Sequence, residues 1–184
     1  MRSHPRVPLG LRLMTPGTLG IDKPAIGAVT SADGTRIGYR TLGTGPGLVL
    51  LHGGMQSSYN LMRLAEHLAG AFTLYVPDRR GRGLSGPTGP VYGLERAVED
   101  LEALLRSSGA RQVFAASVGG IVALQAALRP GLIDKLAVYE PPLVVVGSAP
   151  AAWRARYDQE VAAGRLAAAF VTHGRGVEAS PLFT

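Results

Sequence analysis

Four short apolar runs, Leu48–Leu51, Phe72–Val76, Gln112–Ala116 and Lys135–Tyr139, alternate with stretches of helical periodicity. This alternation constrains the fold more than any other feature of the chain. A strand covered on both faces carries a continuous apolar run, and parallel neighbours require a crossover that is usually a helix. After Ser58, which can cap a helix, Leu61, Leu64, Ala65 and Leu68 fall at i, i+3, i+4 and i+7. This spacing predicts a helix over 59–68, stopped by Gly70. Leu94, Val98, Leu101, Leu104 and Leu105 predict a second helix over 93–107, closed by Ser108-Gly109, and a third runs over 118–128 until Pro130 ends it. The class is therefore α/β, a mostly parallel sheet with helices on both faces.

A β-hairpin precedes this unit: Ala28–Ser31, a turn at Asp33-Gly34, then Arg36–Leu42. Asp-Gly accepts the positive φ that tight hairpin turns demand. Residues 1–24, rich in Pro, Gly and Arg without periodicity, read as a flexible arm. Residues 25–148 form the core unit, and 149–184 hold a weaker helical region over 149–170 and a tail that loses its pattern past Gly174. At 184 residues and 46% apolar, the chain supports one sizeable core.

The absence of cysteine removes disulfides, thiolate metal sites and a cysteine nucleophile, which leaves hydroxyl, carboxylate and imidazole chemistry. It also favours the cytoplasm. Prolines and glycines interrupt the N-terminal residues, so no signal peptide is expected, and no apolar stretch reaches the ~20 residues of a membrane helix. The net charge of +6 comes from 17 arginines against 2 lysines. They are scattered and lack interleaved aromatics, which argues against a nucleic-acid surface. No His/Asp/Glu cluster has ligand spacing and no phosphate loop opens a helix, so neither metal nor organic cofactor is expected.

Two strand ends carry the chemistry. At Val113-Phe114-Ala115-Ala116-Ser117-Val118-Gly119-Gly120 a strand meets a serine and then a helix with no loop between them. Such a turn strains the serine backbone and needs small neighbours two residues away, here Ala115 and Gly119. The Val118 N–H then lies at a helix N-terminus, where free donors and the helix dipole stabilise a developing oxyanion. Read alone, the segment serves equally as a serine that caps its helix. At the other strand end, Leu51-His52-Gly53-Gly54-Met55 has glycines that let the backbone approach a substrate carbonyl and turn an N–H toward it; the plainer alternative is a strand-ending turn.

Together with Pro77-Asp78-Arg79-Arg80-Gly81-Arg82-Gly83-Leu84-Ser85 and Tyr139-Glu140-Pro141-Pro142, these segments resemble the α/β-hydrolase superfamily in order and spacing, over roughly residues 27–146. The resemblance implies that Ser117 is the acylating nucleophile and that the N–H groups of Gly54 and Val118 form the oxyanion hole. It implies a small-molecule ester or related acyl substrate, a loop at Asp78–Ser85 whose arginines serve the scaffold, and a C-terminal region made of partial lid helices.

A serine alcohol needs a histidine base and an orienting carboxylate, which the family supplies after the serine. Only His173 follows Ser117, and it lies beyond the lid-like segment; His4 is in the arm, His52 in the oxyanion turn and His67 on the first helix. Glu140 is the available acid candidate, although a structural Tyr-Glu-Pro-Pro turn is the stronger reading of it. The chain therefore reads as an N-terminal portion, truncated before the usual acid and histidine. Its last strand is expected to be an exposed apolar edge that another chain could complete. The competing reading is a non-catalytic truncated remnant or interaction module.

Overall fold

A computed structural model describes residues 23–143 and 153–178, in two compact units divided after Pro142. The expected arm up to residue 22, residues 144–152 with the start of the expected helical region, and the tail from residue 179 lie outside the described residues.

The first unit is a six-stranded sheet with β1 (Ala25–Thr30), β2 (Arg36–Leu42), β3 (Gly47–Leu51), β4 (Thr73–Pro77), β5 (Gln112–Ala116) and β6 (Lys135–Tyr139) in the order β1-β2-β4-β3-β5-β6. Strands β4, β3, β5 and β6 are parallel; β2 pairs antiparallel with both β1 and β4. The predicted hairpin therefore extends one edge of the parallel sheet. Its turn holds Gly34 at φ 85, while Asp33 Oδ1 accepts the Thr35 N–H at 3.0 Å.

Alternation along the inner strands divides the apolar side chains between two cores. Val49, Leu51, Val113 and Ala115 pack with α2 (Leu94–Ser108) and α3 (Val118–Ala127). Leu50, Leu74 and Val76 pack on the opposite face with Met62 and Ala65 of α1 (Met62–Leu68). Fully burying a side chain such as Leu50 stabilises by about 1.5–3 kcal/mol. Helix α2 ends at Gly109, whose φ of 69 is the left-handed conformation that glycine adopts without a Cβ penalty.

The expected helix over 59–68 is corrected at its start. Residues Ser58–Leu61 form a 3-10 turn and α1 begins only at Met62. Ser57, not Ser58, stands at the cap, with its N–H donating to Asn60 Oδ1 at 3.0 Å. Ser58 is drawn inward instead by a buried carboxylate described below.

β6 pairs only with β5 and keeps Val138 and Tyr139 exposed. Beside it, an open groove of about 340 Å³ is lined by Leu48, Leu64, Leu68, Phe114, Leu136 and Ala137 among others.

The second unit is a pair of helices, α4 (Trp153–Ala162) and α5 (Leu166–Glu178), where the sequence suggested one weak helical region. Gly164, at φ 70, turns the chain between them. No described helix is long and apolar enough to cross a membrane.

Candidate active site

Strand register brings the two sequence-predicted segments together. Leu51 pairs with Ala115 and Ala116 with Tyr139, so the residues just past β3, β5 and β6 lie at one level along the carboxyl edge of the parallel sheet. Open α/β sheets place their ligand crevices at that edge. Three non-glycine residues have positive φ among those described, Met55 (51°), Ser117 (49°) and Glu140 (47°), and each follows one of these adjacent strands. Backbone strain of about 1–3 kcal/mol per residue persists where surrounding contacts over-determine it, and it clusters at functional sites.

Ser117 sits at φ 49, ψ −125, directly between β5 and α3, and its side chain makes no hydrogen bond that caps the helix. Its N–H donates to the Tyr139 carbonyl at 2.8 Å and its carbonyl accepts the Gly120 N–H at 2.7 Å, so sheet and helix hold the elbow from both sides. The small neighbours are required by space. A Cβ on Gly119 would lie 2.7 Å from the His52 carbonyl oxygen, and one on Gly53 would lie 3.0 Å from Ser117 Cβ.

Gly53 and Gly54 thus pass directly beside the serine. The Gly53 N–H is occupied, donating to Gln56 Oε1 at 3.0 Å. The next donor, on Gly54, has no acceptor among the described residues, and a Cβ there would come only within 3.8 Å of Val118 Cγ2. Val118, the first residue of α3, has an N–H with no place in the helical ladder, as for any residue in that position. The segments that carry these two backbone donors, Gly53-Gly54 and the first turn of α3, meet at the half-buried Ser117.

His52 is not a base for this serine. It is fully buried, with Nδ1 donating to the Gly53 carbonyl at 2.9 Å and Nε2 accepting the Arg79 N–H at 3.1 Å. Burial lowers its pKa to about 4, assisted by the positive charges of Arg79 and Arg82, so the ring is neutral at pH 7. His67 Nδ1 pairs with the Arg63 carbonyl at 2.7 Å on α1. His173 belongs to the second unit, where it packs against Trp153 and Tyr157 at ring-centroid separations of 5.4 and 6.0 Å. Glu140 is exposed and directly follows the Tyr139 that pairs with Ser117.

The loop after β4 holds the site from below. Asp78 is fully buried; burial raises its pKa, but donors from Leu84 N–H, Ser58 N–H and Arg40 outweigh this and hold it below the usual carboxylate range. The Ser58 N–H lies 2.6 Å away, which accounts for the 3-10 start of the first helix. Arg80, with 1% of its side chain exposed, clamps Asp100 of α2 through two nitrogens at 2.8 and 2.6 Å and reaches Asp33 of the hairpin turn at 2.7 Å. Its neighbour Arg79 reaches the Tyr92 hydroxyl at 2.7 Å. These partners, and the bonds of Gln56 and Arg82 to the Gly53–Gln56 turn, carry no sequence signal. Among the described residues no group of three or more His, Cys, Asp or Glu could hold a metal ion.

Comparison with known proteins agrees with this fold. A family model described as the alpha/beta hydrolase fold matches residues 46–180. An uncharacterized hydrolase of Bacillus subtilis, YraK, is 30% identical over 116 residues, covering 60% of this chain and 43% of the relative. N-formylmaleamate deformylase of Pseudomonas putida is 35% identical over 124 residues, covering 64% of this chain and 46% of the relative. The crystal structure of an alpha/beta hydrolase from Sphaerobacter thermophilus superimposes with a TM-score of 0.74 at 34% identity, over 85% of this chain and 66% of that one. The chain spans under half the length of these two curated relatives.

Proposed function

The chain belongs to the alpha/beta hydrolase fold family, and from that premise we propose that it acts on esters or related small acyl compounds through Ser117, with the Gly54 and Val118 N–H groups as the oxyanion hole. One observation carries the reading: a strained serine, φ 49, stands where β5 meets α3, beside the Gly53-Gly54 turn that follows the adjacent strand β3. Ser117 Oγ bonds to the acyl carbon as its proton passes to a general base and the carbonyl π pair moves onto oxygen. Collapse of that adduct restores the carbonyl and expels the leaving group, which takes the proton. The two N–H groups meet the negative charge on oxygen as it develops, with the positive end of α3 behind Val118. Preorganised donors of this kind account for about 100- to 1000-fold in rate each. The likeness to a deformylase supports an acyl substrate without specifying the acid or the leaving group.

The proton of Ser117 needs a base, and the tautomer and burial of His52 exclude that ring from the role. Glu140, which follows Tyr139 at the same sheet edge, is the acid candidate that the sequence offers there. A second reading is a non-catalytic interaction module. It is favoured by the structural engagement of both described histidines of the sheet unit and by the open side of β6.

Hydrolysis of p-nitrophenyl esters separates the two readings. The first expects turnover above background that disappears in Ser117→Ala while the thermal midpoint holds. Equal turnover in the variant, or none in either protein, leaves the interaction module.

A further inference from the structure

The Gly53 carbonyl and the Gly54 N–H belong to one peptide unit, and in a planar trans peptide the two groups point in opposite directions. Whatever holds the carbonyl therefore aims the N–H. His52 Nδ1 donates to that carbonyl at 2.9 Å, and Arg82 Nη1 approaches it from the neighbouring loop at 3.4 Å. The same Arg82 nitrogen donates to the Gln56 carbonyl at 2.9 Å, while Gln56 Oε1 accepts the Gly53 N–H at 3.0 Å. One guanidinium nitrogen thus spans both ends of the Gly53–Gln56 turn, and the Gln56 side chain closes it from within.

The turn needs such a clamp. Two consecutive glycines give the chain little resistance to rotation of the peptide between them, and Met55 is already strained at φ 51. If the Gly53–Gly54 peptide turned over, a carbonyl oxygen would face the acyl group where a donor is required. A guanidinium on the carbonyl side also polarises the peptide and strengthens its N–H as a donor.

We propose that Arg82 is a positioning residue: it fixes the Gly53–Gly54 peptide plane so that the Gly54 N–H faces the oxyanion formed at Ser117. The assignment rests on the acyl-hydrolase reading for its catalytic consequence but not for its geometric one. Its test uses the whole chain, with Arg82→Met, which keeps an apolar stem and removes the donors, and Arg82→Lys, which keeps the charge and donors on a shorter, more flexible stem without the planar guanidinium.

The Gly54 amide resonance is followed by nitrogen–proton NMR. It is expected to move and to exchange faster with solvent in Arg82→Met at an unchanged thermal midpoint, with Arg82→Lys in between. An unmoved Gly54 amide in Arg82→Met overturns the clamp; if that variant does not fold, an unmoved amide in Arg82→Lys does so. In ester turnover, kcat should fall about 10- to 100-fold in Arg82→Met with KM within about 2-fold, because the oxyanion exists only in the transition state, and Lys should recover part of it. An unchanged kcat contradicts the catalytic consequence. If the wild-type chain shows no Ser117-dependent turnover, the acyl-hydrolase reading fails while the amide measurement still decides the clamp.

Discussion

A Cβ on Gly119 would lie 2.7 Å from the carbonyl oxygen of His52, so the first turn of α3 and the end of β3 leave no room for a side chain between them. Neither group can yield without moving β3 or the elbow. Gly119→Ala should therefore destabilise the protein by about 1–3 kcal/mol, the usual range for forcing volume into a packed site. Urea unfolding of the two proteins measures it, and an equal midpoint would mean that the elbow can relax away from β3.

Stability should depend on pH through His52. Its folded pKa, about 4, lies below the ordinary histidine value of 6.5, so the unfolded chain binds the extra proton first. The contribution is complete above pH 6.5 and is lost as pH falls toward 4, amounting to about 2 kcal/mol between pH 7 and pH 5. Urea midpoints at those two pH values test this, and His52→Gln should flatten the difference. A wild-type midpoint that rises on acidification would contradict the sign.

Arg80 joins the hairpin turn to α2 through Asp33 and Asp100. Removing one partner of a buried pair leaves the other charge uncompensated, at a cost of about 3–5 kcal/mol. Arg80→Met should lose stability in that range, while the double change Arg80→Met with Asp100→Leu should regain part of it. A single variant as stable as wild type would show that solvent reaches Asp100.

In the helical pair, Gly176 packs directly on the ring of Trp153, and a Cβ there would overlap the indole. Trp153 is the only tryptophan of the chain, so its emission reports on the packing of this helical pair. Gly176→Val should separate α4 from α5 and shift the emission to the red; an unshifted spectrum would mean that the pair tolerates the added volume.

The apolar strands were legible from their runs: β5 and β6 cover Gln112–Ala116 and Lys135–Tyr139 as predicted, although only β5 is packed into the core and β6 is mostly exposed. The elbow was legible as well, since strand, serine and helix are contiguous. The 3-10 turn at Ser58–Leu61 was not, because it follows from Asp78, twenty residues away, accepting the Ser58 N–H. Likewise the pairing of Arg80 with Asp33 spans 47 residues and leaves no period to detect. The single helical region expected over 149–170 became two helices because Gly164 takes φ 70, a choice that composition permits but does not announce.

The account rests on Ser117 acting between the Gly54 and Val118 donors, and the crystal structure of the protein treated with a fluorophosphonate ester tests it most directly. The predicted result is a phosphonyl group on Ser117 Oγ, with its charged oxygen about 2.7–3.1 Å from both N–H groups. Phosphonylation elsewhere, or an adduct whose oxygen faces solvent away from Gly54 and Val118, would contradict it.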